Sequence, residues 1–166
     1  MTDAYLVCAT PRTGSSLLLG LLESTGVCGH PQSYFRAPDR PLWAARWGLA
    51  PDHRPAEFLA AARRAGTTPN GVFGAKLMWG ALDEVPIDGD VRYLSLTRDD
   101  VVAQAVSWLR ADQTGLWYAG GNGEISGLHL TGREPAFDPD AIPIPRHHRQ
   151  ADTLNQEWIA RFRALR

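Results

Sequence analysis

Ala4-Tyr5-Leu6-Val7-Cys8-Ala9-Thr10-Pro11-Arg12-Thr13-Gly14-Ser15-Ser16-Leu17-Leu18-Leu19 decides how this chain folds. The first six residues are strand formers without polar alternation, which suits a parallel strand buried on both faces. Pro11 and Gly14 then break the run. From Ser15 to Thr25 the leucines at 17, 18, 21 and 22 share one helical face, and Gly26 supplies a stop. Strand, loop and helix in that order aim backbone N–H groups and the positive end of a helix at one point, which makes an anion site. Against the phosphate-loop pattern G-x-x-x-x-G-K-[ST], Ala9 takes the first glycine position, Gly14 the second, and Ser15 stands where the lysine belongs. What remains is Arg12 with the hydroxyls of Thr13, Ser15 and Ser16, a set able to grip a terminal phosphate or sulfuryl group without a metal ion. A nucleotide kinase would lack both its loop lysine and a strand-end aspartate for magnesium, because the third expected strand runs into Arg98.

Outward from this opening, residues 71–78 and 91–97 read as two more strands, and residues 55–65, 99–113 and 153–165 as helices. Residues 28–55 carry prolines, arginines and aromatics without periodicity and read as an irregular surface segment with a helical turn near Leu42 to Trp47. Residues 115–150, with Gly120, Gly121 and Gly123 and the prolines at 135, 139, 143 and 145, read as a second irregular segment. The alternation of strands and helices predicts an α/β fold, a parallel sheet flanked by helices, in one domain over residues 1–166. A chain of 166 residues with 44% hydrophobic content can bury one core but not two. The formal charge of -1 gives no global reason to expect nucleic acid or an anionic membrane as partner. Cys8 and Cys28 have no metal-ligand spacing and read as reduced, structural thiols. No segment reaches the ~20 apolar residues of a membrane span and no leader is evident, so a cytoplasmic protein is expected.

Five blocks stand in a fixed order along the chain. Ala4-Tyr5-Leu6-Val7 leads to Arg12-Thr13-Gly14-Ser15-Ser16-Leu17-Leu18; Gly26-Val27 leads to Pro31-Gln32-Ser33-Tyr34-Phe35; then comes Thr68-Pro69-Asn70-Gly71-Val72-Phe73-Gly74-Ala75-Lys76-Leu77-Met78-Trp79. Arg98-Asp99-Asp100-Val101-Val102-Ala103-Gln104-Ala105-Val106-Ser107-Trp108 follows, and Arg149-Gln150-Ala151-Asp152 precedes Glu157-Trp158. With these blocks, which cover most of its length, the chain resembles the nucleotide-dependent sulfotransferases, specifically the trehalose 2-sulfotransferase family of actinobacteria. The resemblance implies a P-loop NTPase-like fold and the donor 3′-phosphoadenosine 5′-phosphosulfate (PAPS), whose 5′-phosphosulfate the first loop would hold through Arg12, Thr13, Gly14, Ser15 and Ser16. It further implies that Arg98 and Ser107 hold the 3′-phosphate, that Arg149 is a further donor contact, that the acceptor is a hydroxyl of a carbohydrate or similar small metabolite, and that the protein is a homodimer. A serine inside a helix, such as Ser107, is in itself an ordinary residue.

Two departures qualify the resemblance. The family carries a glutamate, held to be the general base, where this chain has Ser33. A serine hydroxyl has no useful basicity near neutral pH, whereas His30, three residues earlier, offers an imidazole. The second departure is length: the family has a further helix and strand between the segment near residues 137–140 and the Arg149 block, so the fold is expected to be partly truncated, with an open apolar edge. Lys76 is a candidate for stabilising charge on the phosphosulfate bridge, balanced against a snorkelling surface lysine. Trp79, Trp108 and Trp117 are candidates for stacking, with core packing favoured for Trp108. His147 and His148 read as a solvated basic turn, and Asp138 and Asp140 as loop solvation. A non-catalytic relative that binds the donor or its desulfonated product is the alternative to an enzyme.

Overall fold

The computed structural model describes residues 3–81, 90–115, 117, 138 and 144–164. Strand β1 (Ala4–Ala9) is the centre of a three-stranded parallel sheet, between β2 (Phe73–Met78) and β3 (Val91–Leu96). The register runs from Ala4 opposite Phe73 and Val91 to Ala9 opposite Met78 and Leu96, so all three strands end at the same level. Helices α1 (Ser15–Ser24), α2 (Arg40–Arg46), α3 (Pro55–Gly66), α4 (Val101–Thr114) and α5 (Ile144–Ala164) complete the described residues. An α/β architecture with a parallel sheet and flanking helices is therefore what the chain adopts.

The main hydrophobic cluster lies on one face of the sheet. Leu6 and Cys8 of β1 and Phe73, Ala75 and Leu77 of β2 meet Tyr34, Phe35, Trp43, Phe58 and Trp158 there. Residues 31–35, with Trp43 and Ala44, thus lie in the core rather than on the surface as expected, while none of residues 45–55 is buried. Tyr34 and Phe35 are almost fully buried, and Tyr34 packs edge-on to Trp43 with ring centroids 4.9 Å apart, while Trp43 stacks on Trp47 at 5.4 Å. The aromatic content that showed no periodicity is apolar area looking for cover, and it covers β1 and β2. Gly29 permits the approach: at φ 76° it packs so closely that a Cβ would lie 2.7 Å from the Gly74 nitrogen.

Two helices, α5 and α1, differ from their expected form, while α4 keeps it. α5 starts at Ile144, inside the stretch read as irregular; Pro145 falls in its first turn, where the missing N–H is no loss. The rest of that stretch, residues 118–143 apart from Asp138, lies outside the described residues, Asp140 included. In α4, Asp100 caps the N-terminus by accepting from the Ala103 N–H at 2.8 Å, and Gly115 at φ 72° ends it. In α1 the expected leucine face is not the packed one: Leu17 and Leu21 are 71% and 57% exposed, Leu18 and Leu22 are half-buried, and the buried leucine is Leu19, which lies outside that face.

Candidate functional site

The end of β1 is held by a buried polar triangle that sequence reading missed. Thr10 donates its hydroxyl to Asn155 Oδ1 at 2.7 Å; Gln104 Nε2 donates to Thr10 Oγ1 at 2.9 Å and to the Pro11 carbonyl at 2.7 Å; Asn155 Nδ2 donates to Gln104 Oε1 at 3.3 Å. Each amide and hydroxyl satisfies another, so burial carries no unpaired group at these atoms. The triangle ties α4 and α5 to the strand end from which the loop departs. Neither amide stands out in the sequence: Gln104 lies near the start of α4 and Asn155 among polar residues of α5.

Two residues of the loop have left-handed backbone. Gly14 at φ 86° is the N-cap of α1 and needs glycine; Arg12 at φ 65° is the one described non-glycine residue with positive φ, a conformation that costs ~1–3 kcal/mol. Arg12 is clamped on several sides. Its Nε donates to Ser107 Oγ at 2.9 Å, its Nη1 donates to the Trp117 carbonyl, and its own carbonyl accepts from Arg98 Nη1 at 3.3 Å. Thr13 donates to the Thr10 carbonyl at 3.0 Å, closing the turn. Ser107 is therefore more than an incidental helix serine, since it faces the loop.

Lys76 comes from β2 to the same place. Its residue is 3% exposed, against the alternative of a surface lysine, and its Nζ lies 3.5 Å from Ser16 Oγ in the first turn of α1, whose Ser15 is also buried. Arg12, Arg98 and Lys76 thus surround a helix N-terminus whose first-turn amides have no intrahelical acceptor. Such an arrangement can neutralise and orient a polyanion.

Three other expected site residues have no hydrogen bond to the loop among those described. Ser33 follows Gln32, which runs alongside β2 as a parallel bridge to Ala75 and accepts from the Lys76 N–H at 3.0 Å. Ser33 is 6% exposed and its Oγ has no hydrogen-bond partner. His30 is turned to the far end of α1, where its Nδ1 lies 3.5 Å from Glu23 Oε1, and Glu23 also accepts from Gln32 Nε2 at 3.2 Å. Eight residues separate Ser15 from Glu23, or about 12 Å along the helix axis. Arg149 is exposed on α5 and lines a groove of about 330 Å³ with Val102, Ile144, Pro145 and His148.

His147 is not in a solvated turn as expected. It is 4% exposed, its Nε2 lies 2.8 Å from Asp112 Oδ2, and its ring sits edge-on to the buried Trp108 at 6.0 Å, joining α5 to α4. Trp79 packs edge-on against Trp158. Burial pushes the Cys8 thiol up to about 12, so it is an inert packing residue. Burial, then Cys28 and Glu23, pushes the Tyr5 phenol up to about 12, and its hydroxyl donates to the Cys28 carbonyl. Among the described residues, no three His, Cys, Asp or Glu side chains are grouped so as to hold a metal. No described helix is long and apolar enough to cross a membrane.

Known proteins resemble the chain over this whole arrangement. The family model for Stf0 sulphotransferase matches residues 4–88 and 86–144. The trehalose 2-sulfotransferase of Mycobacterium tuberculosis (strain ATCC 35801 / TMC 107 / Erdman) is 28% identical over 252 aligned positions, covering 96% of this chain and 94% of that relative. Since 252 positions exceed the 166 residues of this chain, the relative carries residues that have no counterpart here. The trehalose 2-sulfotransferase of Mycolicibacterium smegmatis (strain ATCC 700084 / mc(2)155) is 32% identical over 159 positions, covering 69% of this chain and 58% of that relative.

Proposed function

This chain belongs to the Stf0 sulphotransferase family, and on that premise we propose that it moves a sulfuryl group from PAPS to a hydroxyl of a carbohydrate or similar small metabolite. The observation that carries the proposal is the strained Arg12, clamped between β1 and α1 with Arg98 and Lys76 beside the same helix end. In this reading the acceptor oxygen attacks sulfur, the sulfur–oxygen bond to the 5′-phosphate breaks, and 3′-phosphoadenosine 5′-phosphate (PAP) leaves. Arg12 and the amides of Thr13 to Ser16 bear the charge that grows on the leaving phosphate; Lys76 serves the bridging oxygen. Arg98 and Ser107 read the 3′-phosphate, and Arg149 is a further donor contact at the groove beside Val102. No metal takes part in this scheme. The expected cytoplasmic homodimer belongs to the same reading.

One observation favours the non-catalytic alternative, in which the protein binds the nucleotide without turning it over. The position of the family's glutamate is Ser33, buried with an unpartnered hydroxyl, and His30 is engaged with Glu23. Losing a general base typically costs ~10² to 10⁴ in rate, which leaves room for slow transfer driven by positioning and electrostatics. The test is transfer of labelled sulfuryl from PAPS to trehalose and a panel of sugars. Transfer by the native protein supports the enzyme, and its loss in His30→Ala assigns the base to His30. PAP binding with transfer only in Ser33→Glu supports the non-catalytic reading, and absence of PAP binding removes both.

A further inference from the structure

The Arg12 guanidinium is held by two groups that stand on either side of the end of α4. Its Nε donates to Ser107 Oγ at 2.9 Å, inside the helix, and its Nη1 donates to the carbonyl of Trp117, beyond it. From Ser107 to Thr114 the helix runs about 10 Å along its axis, so the chain has to double back for Trp117 to reach the same guanidinium. Gly115 makes that reversal. It takes φ 72°, its N–H donates to the Ala111 carbonyl at 2.9 Å, and its own carbonyl accepts from the Trp117 N–H at 3.0 Å. A Cβ added to Gly115 would meet nothing within 4 Å, so the left-handed backbone alone asks for glycine there. We propose that Gly115 and Trp117 form a positioning turn for the nucleotide site, in which the Trp117 carbonyl, together with Ser107, fixes the plane of the Arg12 guanidinium before the nucleotide arrives.

A guanidinium is planar and carries its N–H groups in a fixed fork, so acceptors on two different nitrogens set its plane, where one acceptor would let it swing. The backbone of Arg12 is set as well, at φ 65° with its carbonyl accepting from Arg98 Nη1 at 3.3 Å. Both ends of a long side chain are therefore placed. Ordering such a side chain in advance spares the rotamer freedom that binding would otherwise remove, so the hold acts on affinity for the anion. A lysine at this position could not be held in the same way, because an ammonium has no plane to fix. The turn acts through Arg12 and needs no contact of its own with the nucleotide. The inference rests on the reading of the Arg12 loop as a nucleotide site and extends that site to the segment after α4.

Calorimetric titration of PAP into turn variants of the full chain tests it, with urea unfolding run alongside. Gly115→Ala is expected to weaken PAP binding about five- to tenfold, because alanine strains a left-handed turn. Gly115→Asn, which tolerates that conformation, is expected to stay within about twofold of the native chain. In an Arg12→Ala background, Gly115→Ala is expected to cause no further loss of affinity, since the side chain it places is gone. Native PAP affinity in a Gly115→Ala protein whose urea midpoint has fallen would make Gly115 an ordinary helix stop and overturn the inference. An equal loss with and without Arg12 would overturn it too. If the native chain binds no PAP, the nucleotide reading falls, and the nitrogen NMR signal of the Arg12 Nε–H, identified by its loss in Arg12→Lys, decides on the turn without ligand. A signal protected from solvent exchange in the native chain and released in Gly115→Ala supports the hold on Arg12, and a fast-exchanging signal in the native chain overturns it.

Discussion

β2 and β3 flank the same central strand in the same register, yet one is sealed and the other open. Five of the six residues of β2 are buried, while β3 has none buried. The difference does not lie in the strands' own composition, since Phe73-Gly74-Ala75-Lys76-Leu77-Met78 is no more apolar than Val91-Arg92-Tyr93-Leu94-Ser95-Leu96 in strand formers. It lies in what the rest of the chain brings to each side. The segment around Gly29 to Phe35 closes the outer edge of β2, with Lys76 donating to Gln32, and α3 follows it. On β3, α5 reaches one face through Phe162 against Tyr93 and leaves Leu94 uncovered. Burial is a property of the partner elements, and a strand read alone cannot announce it.

The sharpest way to break this comparison is to cut large side chains on the two sides. Phe73 of β2, 1% exposed, is expected to cost ~3–5 kcal/mol as Phe73→Ala in urea unfolding. Leu94→Ala is expected to fall within about 0.5 kcal/mol of the native chain when measured on the monomer. Equal losses would dissolve the contrast.

Next in size is the triangle at the end of β1. Gln104→Leu removes donors from Thr10 and the Pro11 carbonyl and leaves Asn155 unmatched, so ~1–3 kcal/mol of stability is expected to go. PAP affinity is expected to fall with it, because the loop loses its anchor; full affinity in a destabilised protein would show that the triangle is scaffold only.

Smaller effects separate the two cysteines. Cys8 lies on the sealed side with its thiol raised to about 12, and Cys28 is half-buried near Tyr5. A thiol reagent at pH 8 is expected to modify Cys28 and spare Cys8 until the protein unfolds. The pH dependence follows from the same cause. Cys8 and Tyr5 titrate from 9.0 and 10.0 in the unfolded chain, and burial raises both to about 12. Native protein therefore retains protons that the unfolded chain gives up. Their contribution is full below pH 9 and is lost as pH rises from there through about 12, so the urea midpoint is expected to fall over that window. A flat midpoint would mean that these groups are not held from water as described.

The opening strand, loop and helix were legible because composition changes sharply there: unbroken strand formers, then Pro11 and Gly14, then leucines at helical spacing. The loop's cationic partners Arg98 and Lys76 were legible from the family resemblance, though not the burial of Lys76, which depends on what closes β2. Gln104 and Asn155 were hidden because an amide inside a helix has no periodic signature; its value appears only when two helices meet at one hydroxyl. His147 was misread because its partner Asp112 is 35 residues away. The start of α5 was missed because Pro145 weighs against a helix in general, yet is harmless in a first turn. The aromatic segment before α3 was misread as surface because irregular backbone and exposure usually go together.

The central claim is that the Arg12 loop is an anion site for a phosphoadenosine nucleotide. Calorimetric titration of PAP into native protein, Arg12→Ala and Arg98→Ala tests it most directly. The account predicts one PAP bound per chain, with each substitution weakening binding by ~1.5–3 kcal/mol, about tenfold or more. Absence of PAP binding, or affinity unchanged by Arg12→Ala, would contradict it.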